Sequence, residues 1–116
     1  MLTTIIKPWG KEEILALNGF YCMKELLVMS GNRLSLQYHE KKVETMYCVD
    51  GKGTLQVEVA DELVNVHLFN GIYYHILPGQ KHRLMADKGV NLRVVECSTP
   101  FLDDVVRFED DFGRVK

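Results

Sequence analysis

The sequence predicts an all-β domain, an antiparallel sandwich or barrel. Two observations carry this. Short runs rich in β-branched and aromatic residues recur at about 8–12-residue spacing, separated by Gly-, Asn- and Asp-containing turns. Within several runs polar and apolar residues alternate, as in Thr54–Val59, which is the period-two signature of a strand with one buried face.

The elements follow in order. Residues 1–10 begin with an apolar segment, Leu2 to Ile6, and continue as Lys7-Pro8-Trp9-Gly10. Proline cannot donate to a ladder, so this piece is expected to be an edge strand or an arm. Residues 11–18 fit a short helix or a strand. With Asn18-Gly19 as a turn and 20–30 resuming as a strand, a hairpin is the better reading. After Ser30-Gly31-Asn32, Arg33–His39 reads as a strand. Arg33, Ser35, Gln37 and His39 then share one face, and Leu34, Leu36 and Tyr38 the other. Glu40–Lys42 is a charged loop, Glu44–Val49 a strand, and Asp50-Gly51-Lys52-Gly53 reads as a hairpin turn. Strands are expected at Thr54–Val59, Leu63–Leu68, Ile72–Leu77, His82–Ala86 and Val90–Cys97, the third ending at Pro78-Gly79. In the acidic tail from Phe101 to Lys116, Phe101, Val105 and Phe108 have a spacing that allows one or two helical turns.

Composition bounds the function. A chain of 116 residues, 47% hydrophobic and 26% charged, suits one globular domain, here 1–116 with an N-terminal arm (1–10) and an acidic tail (101–116). A net charge of −2 gives no general attraction to nucleic acid or an anionic membrane surface. No apolar run approaches the roughly 20 residues of a membrane span. The start lacks the pattern of a signal peptide, so a cytoplasmic protein is expected. Three cysteines, none in a CxxC pair, argue against a disulfide framework or a structural zinc cluster.

The chemistry concentrates in Gly31–Gly51 and its echo at Gly71–Ala86. Gln37 and His39 share a strand face, Glu44 follows on the next strand, and His82 comes from a distant strand. Two His, one Glu and one Gln suit an open divalent site for Zn, Mn, Fe, Co or Ni rather than the closed Cys-rich set of structural zinc. Taken singly, each has an ordinary alternative: Glu44 on a strand surface, His82 in an exposed loop, and Arg33 and Gln37 on the wet face of an amphipathic strand.

Gly31-x5-Gln37-x-His39-x4-Glu44-x6-Gly51 resembles the first cupin motif, with Gln in place of its first His. Gly71-x5-Leu77-x-Gly79-x2-His82-x3-Ala86 resembles the second. The resemblance implies a single-domain cupin, a double-stranded antiparallel β-helix (jelly-roll barrel) with a metal or small ligand in its mouth. Lys7-Pro8-Trp9-Gly10, Arg33-Leu34-Ser35-Leu36-Gln37 with His39 and Glu44, Gly79 with His82-Arg83-Leu84, and Asp103 to Asp110 followed by Phe112-Gly113-Arg114 resemble the cupin domain of type II mannose-6-phosphate isomerases. This implies a sugar-phosphate substrate, a homodimer paired through an edge strand or exchanged N-terminal strands, and a metal held by Gln37, His39, Glu44 and His82. It also implies catalytic roles for Lys42 and Arg33, and phosphate binding by Lys41 and Arg83.

There are departures. The family often has His at Lys41 and Arg at Lys42, and lysine lacks the bidentate fork of arginine. Gln is common at Ser98. Two other readings stay open: a stand-alone cupin binding a sugar or nucleotide-sugar, and a metal-dependent dioxygenase or lyase.

Overall fold

A computed structural model describes residues 3–115; Met1 and Leu2 of the expected arm, and Lys116, lie outside the described residues. There are eleven strands and no helix among the described residues: β1 Thr3–Lys7, β2 Gly10–Leu17, β3 Cys22–Val28, β4 Leu36–Tyr38, β5 Glu44–Asp50, β6 Gly53–Val59, β7 Glu62–Leu68, β8 Tyr73–Ile76, β9 His82–Ala86, β10 Leu92–Ser98 and β11 Val106–Glu109. They form a six-stranded sheet, β1-β2-β3-β10-β5-β8, and a five-stranded sheet, β11-β4-β9-β6-β7, with antiparallel pairing throughout. This is the double-stranded β-helix of the cupins. No helix among the described residues is long and apolar enough to cross a membrane.

Alternation builds the interior. In β3 the inward residues are Cys22, Lys24, Leu26 and Val28; in β10 they are Leu92, Val94, Glu96 and Ser98. The register sets Leu26 and Cys48 beside Val94, and Lys24 and Met46 beside Glu96. The barrel is therefore apolar at one end, around Val28, Leu55, Leu84, Leu92 and Val94, and polar at the other. Trp9 is buried in the apolar core, which anchors the turn between β1 and β2. Cys22, Cys48 and Cys97 are free, the first two buried.

Three expectations change. First, Arg33–His39 is not one regular strand. Arg33 bridges Met85 and Gln37 pairs with His82, so four steps on one chain face three on the other. That extra residue acts as a bulge and inverts the side-chain parity, separating Arg33 from Gln37 and His39. Second, Asp50-Gly51-Lys52-Gly53 is a corner between sheets rather than a hairpin turn: β5 pairs with β10 and β8, and β6 with β7 and β9. Gly51 has φ +88°, and a Cβ there would lie 1.9 Å from the Asn91 carbonyl oxygen, so only glycine fits this corner. Third, the tail contains β11 rather than helical turns. Val106 and Arg107 pair with Tyr38 and Gln37, satisfying the outer edge of β4, and the Phe108 ring packs 5.4 Å from that of Tyr38. The expected N-terminal edge strand is present: β1 pairs with β2 at the edge of the six-stranded sheet.

Candidate metal centre

His39 follows β4, Glu44 opens β5 and His82 opens β9, so the three converge where the two sheets meet at the polar end of the barrel. All three are buried, and one ligand atom from each lies within 4.8 Å of the others. His39 Nε2 and His82 Nε2 stand 3.3 and 3.0 Å from Glu44 Oε1. The Nδ1 atoms face outward: that of His39 meets the Asp104 carbonyl oxygen, and that of His82 the Gln80 carbonyl oxygen at 2.9 Å. A carbonyl only accepts, so each Nδ1 carries a proton, and Nε2 is the atom that each ring presents inward.

Both Nε2 atoms and both Glu44 oxygens are buried and lack a hydrogen-bond partner. The two Nε2 atoms converge on Glu44 Oε1, an arrangement that a divalent cation would complete, and the outward Nδ1–H bonds are the usual support of metal-bound histidines. The donor set fits a divalent ion: two imidazoles and a carboxylate. Burial opposes the charge of Glu44, but its contacts with His39 and His82 and the positive Lys42 outweigh that and hold its pKa well below the ordinary value. Gln37 lies beside this set, its Oε1 accepting from Ser35 Oγ at 2.6 Å.

A chain of charges, buried at its inner end, leads away from the centre. Lys42 Nζ lies 3.3 Å from Glu44 Oε2 and 3.4 Å from Glu96 Oε2. Lys24 Nζ lies 3.6 Å from Glu96 and 3.2 Å from Glu12, and Lys7 lies 3.8 Å from the other Glu12 oxygen. Burial raises Glu96 to about 7, aided by the charge of Glu44 and opposed by Lys24 and Lys42. Burial would lower Lys24, but Glu96 and Glu12 more than reverse this. Buried ion pairs contribute little net stability, so a cluster of this size points to function.

A cavity of about 210 Å³ opens onto these groups, lined among others by Gln37, His39, Lys42, Glu96, Lys24 and Lys7. Glu44 and His82 stand just behind that wall. The tail adds Arg107 and Arg114 to the lining, Arg107 next to Gln37 on the neighbouring strand. Asp110 holds Arg114 in a two-pronged pair at 2.8 and 3.0 Å, whereas the buried Arg107 Nε has no partner. Burial and the nearby Arg114 both disfavour the charge on Arg107. An anion entering here would relieve that cost.

The other expected residues lie elsewhere. Arg33 forms a two-pronged pair with Asp111 at 2.7 and 2.8 Å, on the far side of the bulge. Arg83 is buried, donating to the Leu34 carbonyl and reaching Glu109. The Lys41 side chain is on the exposed loop, outside the cavity lining. Arg33, Arg83 and Lys41 therefore lie outside the lining of this cavity, and Lys42 lies in it. Sequence reasoning missed Lys24 and Glu96 as site residues. Their signal was a lone charge at the inward parity of an otherwise apolar strand.

Residues 1–110 match the family described as Mannose-6-phosphate isomerase C-terminal. The chain belongs to that family. It is similar to the xanthan biosynthesis protein XanB of Xanthomonas campestris pv. campestris strain B100, with 32% identity over 95% of this chain and 23% of that protein. It is also similar to the mannose-1-phosphate guanylyltransferase ManC of Salmonella typhimurium, with 33% identity over 96% of this chain and 23% of that protein. The chain thus spans about a quarter of these relatives. Among solved structures, the capsular polysaccharide assembling protein CapF of Staphylococcus aureus superposes with a TM-score of 0.82 at 15% identity, over 94% of this chain and 34% of that one. KdgF from Halomonas sp. superposes with a TM-score of 0.70 at 18% identity, over 86% of this chain and 87% of that one. These likenesses show the cupin fold.

Proposed function

We propose that the chain is a divalent-metal-dependent isomerase of a phosphorylated hexose, of the mannose-6-phosphate to fructose-6-phosphate kind. One observation carries this reading: a cavity of about 210 Å³ reaches the centre of His39, Glu44 and His82 through His39 and has Arg107 and Arg114 in the same lining. Aldose–ketose isomerisation carries a proton from C2 to C1 and another from O2 to O1. His39, Glu44 and His82, with Gln37 beside them, would hold the ion, which as a Lewis acid polarises a sugar oxygen. Glu96 and Lys42, adjacent on the cavity wall, would take the proton from C2 and deliver it to C1. Arg107, Arg114 and Lys7 would hold the phosphate.

A second reading, a binding cupin without turnover, draws on the position of Lys42. Its ammonium is already engaged by two carboxylates, where the family often has arginine. One assay separates the two: turnover of mannose 6-phosphate after loading with Zn, Mn, Co, Ni or Fe, with His82→Ala as control. Metal-dependent turnover abolished in the variant supports the isomerase. Ligand binding without turnover under every metal overturns it in favour of the binder.

A further inference from the structure

We propose that Asp104, in the C-terminal segment, is a positioning residue for the metal centre, fixing both the imidazole of His39 and the loop that delivers Lys42. The inference deepens the metal reading above and rests on it. Asp104 Oδ1 accepts the backbone N–H of Glu40 at 3.0 Å, and Oδ2 accepts those of Lys41 and Lys42 at 2.8 and 3.0 Å. Three successive amides therefore close on one carboxylate. They lie in the loop between β4 and β5, where no ladder satisfies them. The carbonyl oxygen of the same residue accepts Nδ1–H of His39.

The two contacts act together. The clamped carboxylate holds the Asp104 backbone in place, and that backbone sets the tautomer and plane of the His39 ring. The clamped amides belong to the segment joining His39 to Glu44, with Lys42 in between. His82 is supported differently, by the Gln80 carbonyl two residues away, and so does not depend on the tail. Loss of the Asp104 carboxylate should therefore act on one histidine of the centre and spare the other.

The test uses the full chain with Asp104→Ala and Asp104→Asn. Asp111→Ala, which frees Arg33 elsewhere on the tail, controls for general loosening. Two quantities are measured: zinc affinity by competition titration, and imidazole 15N shifts of the metal-free protein. Asp104→Ala should weaken zinc binding roughly 10–100-fold, the usual cost of losing a group that supports a ligand. Asp104→Asn, which keeps an acceptor, should recover part of the loss, and Asp111→Ala should match the unmodified chain. In the metal-free Asp104 variants His39 should lose its single Nδ1–H tautomer while His82 keeps it. Unchanged zinc affinity with an unchanged His39 tautomer would overturn the proposal. If the unmodified chain takes up no zinc, the metal reading fails, and the tautomer comparison alone decides the role of Asp104.

Discussion

Arg107 shows how one residue can change character with its neighbours. It pairs in register with Gln37, faces the cavity, and makes no ion pair among the described residues, while Asp110 occupies Arg114 beside it. Arg107 is half-buried, and leaving its buried Nε without a partner is costly; a phosphate entering the cavity offsets that cost. Arg107→Ala should raise KM for a phosphorylated substrate roughly tenfold or more, with a smaller effect on kcat, because the contact is made equally before and during the reaction. Steady-state kinetics checks this, and an unchanged KM would remove Arg107 from the phosphate site. Nothing local in the sequence marks Arg107 for this role; only the pairing of β11 with β4 puts it there. His39, Glu44 and His82 were legible because their spacing repeats a pattern between glycines. Lys24 and Glu96 are half legible: alternation and turn residues mark the strands, and each charge sits at the inward parity of its strand.

Among the elements, the C-terminal segment differs most from its sequence reading. Apolar residues at helical spacing suggested turns of helix, yet the outer edge of β4 needed a partner, and backbone pairing outweighed side-chain periodicity. The same segment brings in Asp104, Arg107 and Arg114, so it is part of the site. Its end is fastened by Asp110, whose carboxyl the Arg114 hydrogen bonds lower to about 2 from 3.8. A carboxyl lowered on folding contributes stability that is fully present above the unfolded value and is lost as pH falls through the folded one. Asp110→Asn should therefore destabilise the chain most at neutral pH, and the gap to the unmodified chain should narrow as pH falls from about 4 towards 2. Urea midpoints measured across that range check it; a gap that is constant with pH would contradict the assignment. The bulge between Arg33 and Gln37 gives a parallel lesson. Strict alternation put both on one face, and a single extra residue, visible only in the pairing to Met85 and His82, separates them.

At the scale of the whole molecule, two sheets close over a core that is apolar at one end and charged at the other. The all-β class and most strands were readable from alternation and turn residues. The placement of strands in opposite sheets was not, because pairing partners lie far apart in sequence and a corner such as Asp50–Gly53 has the composition of a hairpin turn. What the fold produces is one buried point where two Nε2 atoms and a carboxylate meet. The most direct test of this account is the metal content of the purified chain, and of the chain reloaded after chelation, beside His82→Ala. The account predicts about one divalent ion per chain, lost in the variant with its overall fold retained. No metal under any loading condition, or equal metal in His82→Ala, would contradict it.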